Sequence, residues 1–82
     1  MLILTIVMMN SGIVLDIMVK PEQRIKDILK VLEENGRIIY RSGRDNLYIR
    51  SWRKGNFVNP YLTFKQAEIF SGDILYIDVE EE

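Results

Sequence analysis

The chain has no cysteine and no histidine, and only two prolines and five glycines. Without cysteine there are no disulfides, thiolate nucleophiles or thiolate metal sites. Small secreted domains often depend on disulfides, so this absence favours the cytoplasm. Without histidine the commonest general base near neutral pH and the commonest metal ligand are both missing. Acid–base chemistry would then fall to a carboxylate pair, and no spacing in the sequence marks one. The glycines are scattered among turn-like stretches, so no phosphate-cradling loop is present. A metal site built from carboxylates alone needs acids at fixed spacing, and the Asp78–Glu82 run is a loose, solvated one. We therefore expect no catalytic residue, no metal and no cofactor, and read the chain as a non-enzyme. Nor is there an apolar run of the ~20 residues a membrane span requires. The opening MLILTIVMM lacks a basic flank and an Ala-x-Ala-like cleavage site, and reads as a buried strand instead.

What is present describes a small globular body. The 82 residues read as one domain, 1–82. A chain of this size buries only a little over ~60% of its unfolded surface, so most long apolar side chains must enter the core. Hydrophobic residues make up 48% and charged residues 28%, the balance of a folded chain rather than a disordered one. The net charge of −1 hides an asymmetry. Arg37, Arg41, Arg44, Arg50, Arg53 and Lys54 form a basic middle against a single acid, Asp45. Glu68, Asp73, Asp78 and Glu80–Glu82 form an acidic end with no base. Tyr40, Tyr48, Trp52 and Phe57 interleave with the arginines, a mixture that can bind single-stranded nucleic acid. An overall pI near 5.4 argues against that partner.

Hydrophobic periodicity sets the elements. Ile13, Leu15, Ile17 and Val19 alternate with Val14, Asp16, Met18 and Lys20, which is strand behaviour. With the apolar opening and the Asn10-Ser11-Gly12 turn they predict a β-hairpin. Both faces of the first strand are apolar. Leu2, Leu4 and Ile6 are placed inward, because that sends Thr5 to water. Ile25, Ile28, Leu29 and Leu32 make one helical stripe. Pro21 is placed in the first turn of that helix, with Glu22 near its positive end. Gly36 beside Asn35 is placed as a left-handed C-terminal cap. The stretch from Arg37 reads as two strands around SGRD, leaving open whether Arg37–Arg41 truly forms the first. In the second, Leu47 and Ile49 point one way and Tyr48, Arg50 and Trp52 the other. After a turn at Lys54-Gly55-Asn56 comes a crossover with a short helical turn at Thr63–Ala67, Thr63 its N-cap. A Gly72-Asp73 turn leads into a final strand in which Leu75, Ile77 and Val79 face inward. This order predicts an α+β fold, a mixed sheet of four to five strands with one helix across one face. The final strand is placed beside the first.

Two segments carry a family resemblance. GIVLDIMVKPEQRIKDIL resembles the second strand, proline-containing turn and helix start of ubiquitin, and LTFKQAEI with GDILYI resembles its final turn and strand. The likeness is closer still to the YukD-type ubiquitin-like proteins of Gram-positive type VII secretion systems. There IRSWRKGNFV, Phe64, Ile69 and SGDILYI fit the pattern, and the likeness covers most of the chain. It implies the β-grasp fold, a cytoplasmic location, and non-covalent binding to a component of the secretion machinery. No terminal Gly-Gly is present, so conjugation through the C-terminus is not expected. Arg37–Asp45 is longer and more basic than the matching loop of ubiquitin, and Glu80–Glu82 is no family signature.

If the helix covers one side of the sheet, Tyr48, Arg50, Trp52, Ile74 and Tyr76 share the other. Ile3, Val7, Val14 and Met18 extend that patch. Arg, Tyr and Trp dominate binding hot spots, so these residues are the candidate protein-binding site. The same face would serve self-association. An alternative reading is a small non-catalytic subunit of a multicomponent enzyme such as a monooxygenase, a use the ubiquitin-like fold also has.

Overall fold

The computed structural model describes residues 1–41 and 43–80. The elements are β1 (Leu2–Met8), β2 (Val14–Val19), α1 (Ile25–Glu34), β3 (Asn46–Ser51), β4 (Phe57–Val58) and β5 (Ile74–Glu80). They form one mixed sheet in the order β2-β1-β5-β3-β4. β1 and β2 are antiparallel, β1 and β5 parallel, and β3 is antiparallel to both β5 and β4. The final strand does lie beside the first, and it occupies the middle of the sheet.

The register explains the core. Ile6 pairs with Leu15 and Leu75, and Leu75 with Ser51. Met8 pairs with Ile77, Ile77 with Ile49, and Ile49 with Val58. All these side chains lie on one face, and all but Leu15 are buried. Leu4, Ile25, Leu29, Phe64 and Ile69 complete the core. Thr5 sits on the opposite face, as the inward placement of Leu4 and Ile6 requires. Its hydroxyl donates to Asp16 Oδ1 at 2.7 Å across the hairpin.

The helix starts later than the proline implies. Pro21 and Glu22 lie before it, in a turn closed by Gln23: Lys20 N–H donates to Gln23 Oε1 and Gln23 N–H donates to the Lys20 carbonyl. Its first N–H groups are satisfied by chain far away. Ile25 donates to the Leu62 carbonyl and Lys26 to that of Pro60, at 3.0 and 2.9 Å. Arg24, the N-cap, contributes no side-chain bond and instead bridges to Thr63. The helix ends as expected. Gly36 at φ 70° lets its own N–H reach the Glu33 carbonyl and that of Arg37 reach Leu32, the paired bonds of a Schellman cap.

Arg37–Arg41 is not a strand. The segment is irregular, with Ile38 sunk into the core and Ile39 exposed. Among the described residues no strand pairs with it. The Asn10 side chain holds it instead, donating to the Ile39 carbonyl. The loop beyond is closed by Asp45, which accepts from Arg41 N–H at 2.7 Å and pairs with its guanidinium at 2.9 Å. These bonds, the backbone one foremost, hold the Asp45 carboxyl below its ordinary pKa. The turn at Thr63 is closed by a reciprocal pair. Gln66 N–H donates to Thr63 Oγ1 and Thr63 N–H to Gln66 Oε1, both at 3.0 Å, a capping box around a single turn.

Candidate functional site

The sheet face away from α1 is built by alternation. Because Ile49, Ser51, Leu75 and Ile77 are buried, their neighbours Tyr48, Arg50, Ile74 and Tyr76 must emerge on the other side. Cross-strand pairing lines them up. One row runs Val14, Val7, Tyr76, Arg50, Phe57 through all five strands. The next runs Asp16, Thr5, Ile74. Tyr48 stands opposite Asp78. The structure thus brings Tyr48, Arg50, Ile74 and Tyr76 together on one surface, with Ile3, Val7, Val14 and Met18 on its flank. Ile74 and Tyr76 are half-buried there, while Tyr48 and Arg50 are exposed.

Trp52 departs from the expected strand, since β3 ends at Ser51. Its N–H still donates to the Ile74 carbonyl at 2.8 Å, which extends the ladder by one residue. Its indole is 61% exposed, an unusual state for the largest side chain in the protein. Phe57, at 73%, belongs to the same row as Arg50 and Tyr76. It was absent from the sequence-based set because β4 has only two residues and shows no period.

Electrostatics across this face are mixed. The Arg50 guanidinium carbon lies 5.7 Å from the centre of the Tyr76 ring, a cation–π distance. Glu80 acts on the Tyr48 phenol by a hydrogen bond and by its charge, and both raise the phenol pKa. Four of the six basic residues in the middle of the chain make internal contacts. Arg41 pairs with Asp45, Arg50 lies over Tyr76, Arg53 over Phe70 at 4.5 Å, and Lys54 Nζ donates to the Ala67 carbonyl at 2.9 Å.

The anchor beneath Trp52 was missed in the sequence. Asp73 is a buried carboxylate rather than a simple turn residue. Its Oδ2 accepts from Ser51 Oγ at 2.5 Å, and its Oδ1 accepts from Arg53 N–H at 3.0 Å and Ile74 N–H at 2.8 Å. Ser51 Oγ in turn accepts from Lys54 N–H at 3.2 Å. Asp73 therefore fixes the backbone on both sides of Trp52. The available signal was a lone serine at an inward strand position, where an apolar residue would otherwise stand.

The surface carries aromatic, aliphatic and charged groups together. Among the described residues no group of three or more acids lies close enough to hold a metal ion, and no helix is long and apolar enough to cross a membrane. Such a face can bury apolar area against another macromolecule.

No protein-family model and no curated protein matches the chain. Solved structures do. A protein designed on the basis of ubiquitin is 22% identical, with 99% of this chain and 90% of that one covered and a TM-score of 0.70. The ubiquitin-like domain of yeast Ddi1 is 18% identical over 99% and 91%, with a TM-score of 0.69. The EccD5 ubiquitin-like domain from Mycobacterium xenopi is 22% identical over 99% and 96%, with a TM-score of 0.52. At these identities the likeness speaks for architecture. The chain has the ubiquitin-like fold, a five-stranded mixed sheet with a single helix packed across it.

Proposed function

We propose that the chain is a non-catalytic, non-conjugated interaction module that docks a component of a bacterial type VII secretion system on its cytoplasmic side. The docking surface is the open sheet face around Tyr48, Arg50, Trp52, Ile74 and Tyr76. The observation that carries this reading is Trp52, flanked by residues that Asp73 holds yet 61% exposed, directly after the strand that carries Tyr48 and Arg50. Exposed aromatic and arginine side chains on a rigid support are what binding hot spots are made of. One further point supports it: the EccD5 domain with the same fold comes from a type VII secretion system.

The test is capture of purified components of the secretion machinery by the immobilised chain. Trp52→Ala and Tyr76→Ala should each weaken capture by about thirtyfold or more, the size of a hot-spot loss. Circular dichroism should stay unchanged. Undiminished capture by both variants would remove the face from the proposal.

A further inference from the structure

Five asparagines stand in the chain, and only Asn35 precedes a glycine. The following residue decides one reaction of asparagine, in which the next amide nitrogen attacks the carboxamide carbon. Asn59 precedes Pro60, which has no N–H to lose. Asn46 and Asn56 precede Leu47 and Phe57, whose side chains crowd the attacking nitrogen. Asn10 precedes Ser11, and its carboxamide donates to the Ile39 carbonyl at 3.1 Å. Asn35 and Gly36 are both exposed, and among the described residues nothing bonds the Asn35 carboxamide.

The folded backbone holds the reacting atoms apart. Asn35 has ψ 6°, which turns the Gly36 nitrogen away from the Asn35 side chain. Ring closure needs that nitrogen eclipsed with Cβ, a rotation of roughly a third of a turn about a tetrahedral carbon. The Gly36 N–H is also engaged, donating to the Glu33 carbonyl at 3.0 Å, while Arg37 N–H donates to that of Leu32 at 2.8 Å. The rotation breaks both bonds. Such opening costs least at a helix end. Charge favours it further: α1 ends on Glu33 and Glu34 with no base in its last turn, at the end of the dipole that prefers cations.

We infer that Asn35 is a site of spontaneous covalent modification, gated by opening of the Gly36 cap. With the cap open, the Gly36 nitrogen gives its proton to solvent base and bonds to Asn35 Cγ. The carboxamide nitrogen takes up a proton and leaves as ammonia, which closes a five-membered imide. Water then adds to one imide carbonyl and breaks its bond to nitrogen. Opening on one side leaves aspartate at position 35. Opening on the other leaves isoaspartate, in which the main chain runs through Cβ. Nothing is oxidised or reduced, and water is the co-reactant. Both products add a carboxylate beside Glu33 and Glu34, where the helix dipole repels it. Isoaspartate also inserts one main-chain carbon ahead of Gly36, so the two cap bonds lose their register. The change is therefore one-way, and a cap that has reacted stays weakened. It involves none of the five residues proposed for docking, so either reading can fail alone.

The experiment holds the purified chain in mildly alkaline buffer, once folded and once in urea, and samples it by peptide mass spectrometry. In urea the tryptic peptide 31–37 should gain one mass unit before any other asparagine-containing peptide, and isoaspartyl methyltransferase should label it. The folded chain should react at the same residue at least about fivefold more slowly. Glu34→Gln, which removes a carboxylate from the helix end, should slow the folded reaction further and leave the rate in urea unchanged. Asn35→Gln should remove the reaction from this peptide in both conditions. Equal rates in the folded chain and in urea would overturn the gating by the cap. Earlier conversion at any other asparagine, or a peptide 31–37 that stays unmodified in urea, would overturn the site.

Discussion

Asp73 shows how one polar side chain can govern a surface it never reaches. It is buried at the start of β5, and its two oxygens collect three hydrogen bonds from Ser51, Arg53 and Ile74. Truncation would strand two backbone N–H groups and a hydroxyl in a covered place, and each unsatisfied group costs about 1–3 kcal/mol. Asp73→Ala should therefore lower unfolding stability by at least about 2 kcal/mol in a denaturant titration. Asp73→Asn retains an oxygen acceptor at the same position and should lose less. Equal losses would mean that the contribution comes from the shape of the site rather than from its hydrogen bonds. The residue was not legible as a core group because Ser51, its partner, stands far away in the chain and only the register of β3 on β5 unites them. Tyr48, Arg50 and Tyr76 were legible, because they follow from alternation about Ile49 and Ile77 alone; Phe57 was not, because β4 is too short to show a period.

The elements divide by where their partners come from. β2 and β5 were readable because apolar residues on one face repeat every second position, β1 because it is an apolar run ahead of a turn, and α1 because its stripe repeats every three or four. The beginning of α1 was not readable. Its first N–H groups are capped by the carbonyls of Pro60 and Leu62, and no local pattern around Pro21 encodes that. Arg37–Arg41 misled in the opposite way. It has apolar residues in strand-like density, yet Ile38 reaches the core from a loop held by Asn10. The C-terminal end of α1 is wholly local and was read correctly. Gly36 there adopts φ 70°, and a Cβ added to it would meet nothing within 4 Å. Gly36→Ala should thus cost about 1 kcal/mol through the left-handed backbone alone. Thermal unfolding would check this, and Gly36→Asn should recover part of the loss because asparagine tolerates that conformation.

The molecule as a whole depends on β5. It binds β1 on one side and β3 on the other, and among the described residues it is the strand that joins the two hairpins into one sheet. Without it, β1–β2 and β3–β4 would be separate two-stranded ribbons, and such ribbons are at best marginal in water. A chain ending at Gly72 should show no cooperative thermal transition and a collapsed amide NMR spectrum. A sharp melt would show that α1 and the crossover can hold the hairpins together.

The central position of β5 also has a temporal side. A ribosome makes β1 first and β5 after every other strand of the sheet. At about 5–20 residues per second the interval lasts roughly several seconds. Throughout it, an opening strand that is apolar on both faces has no neighbour on the side β5 will take. Transiently exposed apolar surface and unpaired strand edges make a chain prone to aggregate, and β1 carries that liability until β5 emerges.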